Sequence, residues 1–205
     1  SRRLDAHAGL AVLTTLLLWG SAPPESPVAD AAMRGDVEEV RALLKAGEDA
    51  NAAQGDGMTA LHWAAERDAV EMAEMLLAAG ANLGALTRLG DYTPLHVATR
   101  SGSAGVVRVL LEAGADPSAR TSTGAVEPLH MAAGAGSADI GSLLIEHGAE
   151  VDAREGMWLQ TPLMFAAAGG HTGVVRALVA AGADVGATAR VMDMDAREQE
   201  DRAAR

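Results

Sequence analysis

Four segments of the chain lie under one another at a fixed stride. They read TALHWAA from Thr59, TPLHVAT from Thr93, EPLHMAA from Glu127 and TPLMFAA from Thr161, and their leucines (Leu61, Leu95, Leu129, Leu163) are evenly spaced. A second ladder repeats the same stride: LLAAGAN ends at Asn82, LLEAGAD at Asp116, LIEHGAE at Glu150 and LVAAGAD at Asp184, which sets Gly80, Gly114, Gly148 and Gly182 in step with the leucines. A partial match, LLKAGED, places Gly47 ahead of Gly80 by a step one residue shorter. A unit this short cannot bury an apolar face alone, so the units must stack and share their core with their neighbours.

Each unit reads as a pair of helices. Thr59, Thr93 and Thr161 stand where a hydroxyl can accept the first free helix amides. Pro94, Pro128 and Pro162 follow in the first turn, where a missing N–H costs nothing. Glu127 replaces the capping threonine in one copy, which predicts a weaker cap there. Ala60 stands for the proline in another. Small pairs (Ala64-Ala65, Ala98-Thr99, Ala132-Ala133, Ala166-Ala167) then let neighbouring helices approach closely. The second helix carries the bulk: Met72, Met75, Leu76; Val106, Val107, Leu110, Leu111; Ile140, Leu143, Leu144; Val174, Val175, Leu178. Steps of three and four put each set on one face. The glycine ladder supplies the left-handed residue that ends the helix. Asn82, Asp116 and Asp184 favour the turn beyond it.

These two ladders resemble the ankyrin repeat, whose signature contains T-P-L-H-x-A and whose usual unit is one residue shorter than the stride seen here. The resemblance covers about residues 28–190. It implies an all-α solenoid of stacked helix-turn-helix units joined by hairpin-like loops. Residues 28–57 form a degenerate first unit, and further units start near 58, 92, 126 and 160. Residues 191–205 are a charged tail, read as a helical cap or as the start of a further region.

Ahead of the array, Arg2 and Arg3 precede an apolar run from Ala8 to Trp19, followed by Gly20, Ser21 and Ala22. That order describes a secretory signal over residues 1–22. The alternative is an N-terminal apolar helix lying on the first unit. The run falls short of the roughly 20 residues of a stable membrane span. Residues 23–27 read as a proline-rich linker. The expected location is therefore periplasmic or secreted in a bacterium, with the cytoplasm as the alternative.

The aromatic content is 2 %, so the core must be filled by Ala, Leu, Val and Met in thin layers. The formal charge of −12 opposes nucleic-acid binding and favours basic partners. No cysteine is present, which excludes disulfides and thiolate chemistry. No nucleophile elbow or phosphate-cradling loop occurs. His62, His96 and His130 recur with the repeat, and the family resemblance implies that they hydrogen-bond within and between units. Met164 stands in the same place in the last unit, as a metal ligand set would not. His171 reads as a loop or helix-start residue. No catalytic, cofactor or metal site is expected.

What remains is binding. In the family the partner docks on loop tips and on the concave face of the first helices. Carried onto this chain, the tips are residues 54–56, 88–92, 121–126 and 155–159. Tyr92 and Trp158 lie at tips and are two of five aromatics; such side chains anchor interfaces. Trp63, in the frame shared by Val97, Met131 and Phe165, reads instead as core between layers. The expected partner-binding residues are Glu66, Arg67, Arg88, Tyr92, Arg100 and Trp158, and the expected function is a protein-protein interaction scaffold. A recognition domain of a larger enzyme or effector, and a self-associating structural repeat, are the rival readings.

Overall fold

The structure is a computed structural model that describes residues 26–190. The signal or helix read over residues 1–22 and the tail read over 191–205 lie outside the described residues. Among the described residues there are ten α-helices and no strand, in five pairs: α1 (Pro27–Arg34) with α2 (Val37–Ala46), α3 (Ala60–Glu66) with α4 (Val70–Ala78), α5 (Pro94–Ser101) with α6 (Ala104–Glu112), α7 (Pro128–Ala135) with α8 (Ala138–Glu146), and α9 (Pro162–Ala168) with α10 (Thr172–Ala180). Each first helix packs on the first helix of the next unit, and each second helix on the next second helix. The fold is therefore a two-layered, all-α repeat solenoid.

The layers are made by the two ladders. Leu61, Leu95 and Leu129 are buried, whereas Leu163 is half-buried because no described unit follows it. The small pairs are buried between first helices down to Ala166, and Ala167 is exposed for the same reason. Met72, Leu76, Val106, Val107, Leu110, Ile140, Leu144, Val174 and Leu178 fill the second layer. Small side chains close the first layer and branched ones fill the second, which is how a chain with few rings reaches close packing.

Glycines 47, 80, 114, 148 and 182 all take φ between 84° and 93°, the left-handed region that terminates a helix. Beyond them Asn82, Asp116 and Asp184 accept the N–H two residues on, at 2.9, 2.9 and 2.8 Å. Each first helix ends similarly, at Gly35, Gly102, Gly136 and Gly170, with Asp68 in the glycine's place at φ 51°. Its carboxylate accepts the Val106 N–H of the next unit at 3.0 Å. A left-handed aspartate is thus held by a bond that caps a neighbouring helix.

Four observations depart from the sequence reading. Ser26 and Pro27, assigned to the linker, open α1 instead: Ser26 is its buried N-cap and Pro27 its first residue. The Trp63 row is core between layers only in part. Val97 is buried, whereas Trp63, Met131 and Phe165 are half-buried; Phe165 still packs on the preceding unit, its ring centre 5.4 Å from that of His130. Glu127 makes no capping hydrogen bond from its side chain, as the loss of threonine predicts, but its burial is not legible in the sequence. It is fully buried, Arg120 Nε donates to its Oε1 at 2.9 Å, and its backbone N–H donates to His130 Nδ1 at 3.3 Å. Thr161, read as a cap, has its hydroxyl buried without any hydrogen bond, because Met164 stands where the other units carry histidine.

Candidate functional site

The loop tips are built by a recurring set of bonds within the chain. Thr87 N–H donates to Tyr92 O, Thr121 N–H to Val126 O and Glu155 N–H to Gln160 O, each at 3.1 Å. The first tip closes one residue sooner, from Gln54 N–H to Met58 O at 2.9 Å, which accounts for the shorter step between Gly47 and Gly80. The added residues are Asp91, Ala125 and Leu159, at φ 53°, 47° and 56°. Successive tips are then joined by one backbone bond apiece: Arg88 N–H to Asp56 O, Ser122 N–H to Gly90 O, Gly156 N–H to Gly124 O and Arg190 N–H to Trp158 O, over 2.7–3.1 Å.

Histidines fasten this ladder to the helices. His62 Nε2 meets the Tyr92 carbonyl at 3.0 Å, His96 Nε2 that of Val126 at 3.3 Å, and His130 Nε2 those of Ala153 and Gln160 at 3.1 and 3.2 Å. A carbonyl can only accept, so Nε2 carries the proton. Nδ1 is left as the acceptor of the N–H of Thr59, Thr93 or Glu127. Burial holds all three imidazoles below the usual histidine value, against the opposing pull of those carbonyl bonds. These are structural groups with both nitrogens engaged.

In the last tip Glu155 replaces the threonine of positions 87 and 121 and does more. Its buried carboxylate accepts the N–H of Met157, Trp158 and Gln160 at 2.7, 2.5 and 3.1 Å. Burial works against its charge, but the three amides outweigh that and hold its carboxyl below the ordinary value. The charge therefore fixes the shape of a tip whose apolar side chains face water.

Two of the expected binding residues come together. The Arg100 guanidinium carbon lies 5.2 Å from the centre of the Tyr92 ring, and both line a hollow of about 220 Å³ with Asp56, Met58, Leu89 and Val97. Gly90 permits the arrangement: a Cβ there would stand 2.5 Å from the Tyr92 ring. Arg88 is exposed in the same tip, with its side chain turned to no hydrogen-bond partner among the described residues. Glu66 is exposed at the end of α3. Arg67 is exposed too, but its guanidinium donates to the Met33 carbonyl near the end of α1, so it also bridges the first two units. His171 acts alike: it is the N-cap of α10 and its Nε2 reaches Gly134 O at 3.0 Å. Trp158 stands apart from the hollow, two tips further along, 37 % exposed beside Met157.

Leu89 is the residue that sequence reasoning passed over within its tip. It is 83 % exposed, and its counterparts in the next two tips are Thr123 and Met157. Comparing tips at the repeat stride would have singled it out as an apolar side chain that the repeat does not require.

The stacked pairs, the left-handed glycine ladder and the hydrogen-bonded tips define a helical repeat protein. The family described as ankyrin repeats (3 copies) matches residues 9–87, 28–121 and 122–189. The chain belongs to the ankyrin-repeat family, whose repeats are generally protein-protein interaction modules. Comparison with curated proteins gave no match. Among the described residues no helix is long and apolar enough to cross a membrane.

Proposed function

We propose that this chain is a protein-binding scaffold whose partner lies along the face of the first helices and over the tips, and that it works by recognition rather than catalysis. The observation that carries the reading is the Tyr92–Arg100 hollow, rimmed by an exposed Leu89 on a tip fixed by hydrogen bonds. Exposing a leucine to water has no benefit for folding; burying it against a partner has. The buried histidines, each committed to a carbonyl, support a structural role for the groups that would otherwise suggest acid–base work. The apolar start of the chain supports export to the periplasm or beyond.

The test is capture from an extract of the native organism with the full chain, beside a copy carrying Tyr92→Ala, Arg100→Ala and Trp158→Ala, with both shown folded by circular dichroism. A protein retained by the first and released by the second supports the scaffold and its face. Equal retention moves the site elsewhere on the stack. No retained protein favours the rival readings, a recognition domain within a larger effector or self-association.

A further inference from the structure

The hollow carries more information than its presence on a binding face. Its floor is apolar, with Met58 and Val97 buried beneath and the Tyr92 ring forming a wall. At about 220 Å³ it far exceeds the roughly 10–15 Å³ that one water needs. Two opposite charges, Asp56 and Arg100, stand on its lining, and neither is in an ion pair among the described residues. Arg100 holds its guanidinium carbon 5.2 Å from the centre of the Tyr92 ring and keeps its N–H donors without an acceptor among the described residues. Asp56 uses Oδ1 to accept the Met58 N–H at 2.9 Å and leaves Oδ2 free.

We propose that this hollow receives an extended segment of a partner protein in which a large apolar side chain is flanked by an acidic residue on one side and a basic residue on the other. The inference rests on the scaffold reading and adds the chemistry of what is recognised. The apolar side chain takes the floor between Leu89 and Tyr92, a carboxylate meets Arg100, and a cation meets Asp56. An arginine already held over a ring has less freedom to lose when it pairs with a carboxylate.

Two further observations support it. The repeat folds without these groups: at the equivalent positions of the next unit, Leu89, Tyr92 and Arg100 become Thr123, Val126 and Gly134, with the same helices and the same tip. The hollow is also held ready. Thr87 Oγ1 accepts the Tyr92 N–H at 3.1 Å and donates to Leu89 O at 3.1 Å, and the Arg88 N–H ties the tip to Asp56. A preformed pocket spares the ordering cost of binding.

The test is an array of synthetic peptides with central Leu or Phe and four kinds of flank: Glu with Lys in either order, Glu with Glu, Lys with Lys, and Ala with Ala. It is probed with the full chain and with Arg100→Glu, Asp56→Asn and the pair Leu89→Thr with Tyr92→Val, which borrows the residues of the next unit. Cooperative unfolding of each variant is checked first. Mixed flanks should bind best. Arg100→Glu should weaken the mixed peptides by at least about tenfold and turn the preference to two lysines. Asp56→Asn keeps the bond to Met58 and should relax only the need for a basic flank. The double variant should weaken all peptides alike. Absence of binding, absence of charge preference, or the same ranking after Arg100→Glu would overturn the proposal. If that happens while the extract partner is still captured by the native chain and lost by the triple variant, the scaffold reading stands and only the recognised chemistry is wrong.

Discussion

The Nε2 of His62 donates to the backbone carbonyl of Tyr92 across 3.0 Å, joining the first helix of one unit to the tip of the next. His96 and His130 repeat the contact with Val126 and with Gln160. All three rings are buried, and protonation would put a hydrogen on Nδ1, the atom that accepts the N–H of the helix cap.

That geometry sets the acid response. Burial lowers the pKa of each ring in the folded chain below the ordinary value of 6.5. The unfolded chain then binds more protons in the window below 6.5, so the stability contributed by these groups is full above that value and lost as pH falls through the lowered ones. The urea midpoint should therefore be higher at about pH 7.5 than at about pH 5. His96→Gln should flatten part of that difference. A midpoint unchanged between the two conditions would contradict the assignment of neutral, buried rings.

Glu127 responds in the opposite direction. Burial raises its carboxyl pKa, and the bond from Arg120 only partly offsets the effect. Its Oε2 is buried with no hydrogen-bond partner. A raised pKa contributes stability below the ordinary value of 4.5 that disappears as pH rises, so the ionised group is a burden at neutral pH. Glu127→Thr restores the residue of the sister units, and it should stabilise the chain by about 1–3 kcal/mol near neutrality. The gain should shrink on acidification. Loss of stability in the variant, by urea titration, would show that the Arg120 pair outweighs the buried charge.

Core and tip should separate cleanly. Leu110 is fully buried in the second-helix layer, so Leu110→Ala should cost about 2–5 kcal/mol. Arg88 contributes its backbone N–H to the tip ladder and leaves its side chain exposed, so Arg88→Ala should cost under about 0.5 kcal/mol. Denaturation showing the reverse order would mean that the layers have been misassigned.

The fold was legible because each feature behind it is local and recurs. The leucine and glycine ladders, the threonine caps and the apolar faces of the second helices all sit within one unit, and the stride exposes them. What escaped the sequence is what passes between units. Nothing within its own unit marks Asp68, whose carboxylate accepts the Val106 N–H of the next unit. Glu155 was legible only as the start of a tip, and the three amides around its carboxylate were not. The binding residues were legible as candidates only singly. Tyr92 and Arg100 meet because Tyr92 ends a tip while Arg100 sits near the end of the helix that follows. Arg67 carries the same kind of exposed charge and proves to reach backward, onto Met33.

Asp68 offers the sharpest test of the bonds between units. Its φ of 51° suits glycine, as at Gly102 and Gly136, and its carboxylate accepts the Val106 N–H at 3.0 Å. Gly105 makes room for it: a Cβ there would stand 3.1 Å from Asp68 Oδ1 and 2.7 Å from Val70. Two effects are superposed, a backbone strain of about 1–2 kcal/mol and a cap worth about 1 kcal/mol. Three substitutions separate them. Asp68→Asn tolerates the left-handed backbone and keeps an acceptor, so it should stay within about 0.5 kcal/mol of the native chain. Asp68→Gly relieves the strain and removes the cap, so its two changes should largely cancel. Asp68→Ala keeps the strain and loses the cap, and should be the least stable by about 1 kcal/mol or more. Urea titration should place the asparagine and glycine variants close together and the alanine variant clearly below both if the carboxylate caps the neighbouring helix. An alanine variant as stable as the asparagine one would show that the Asp68–Val106 bond does not join the second unit to the third.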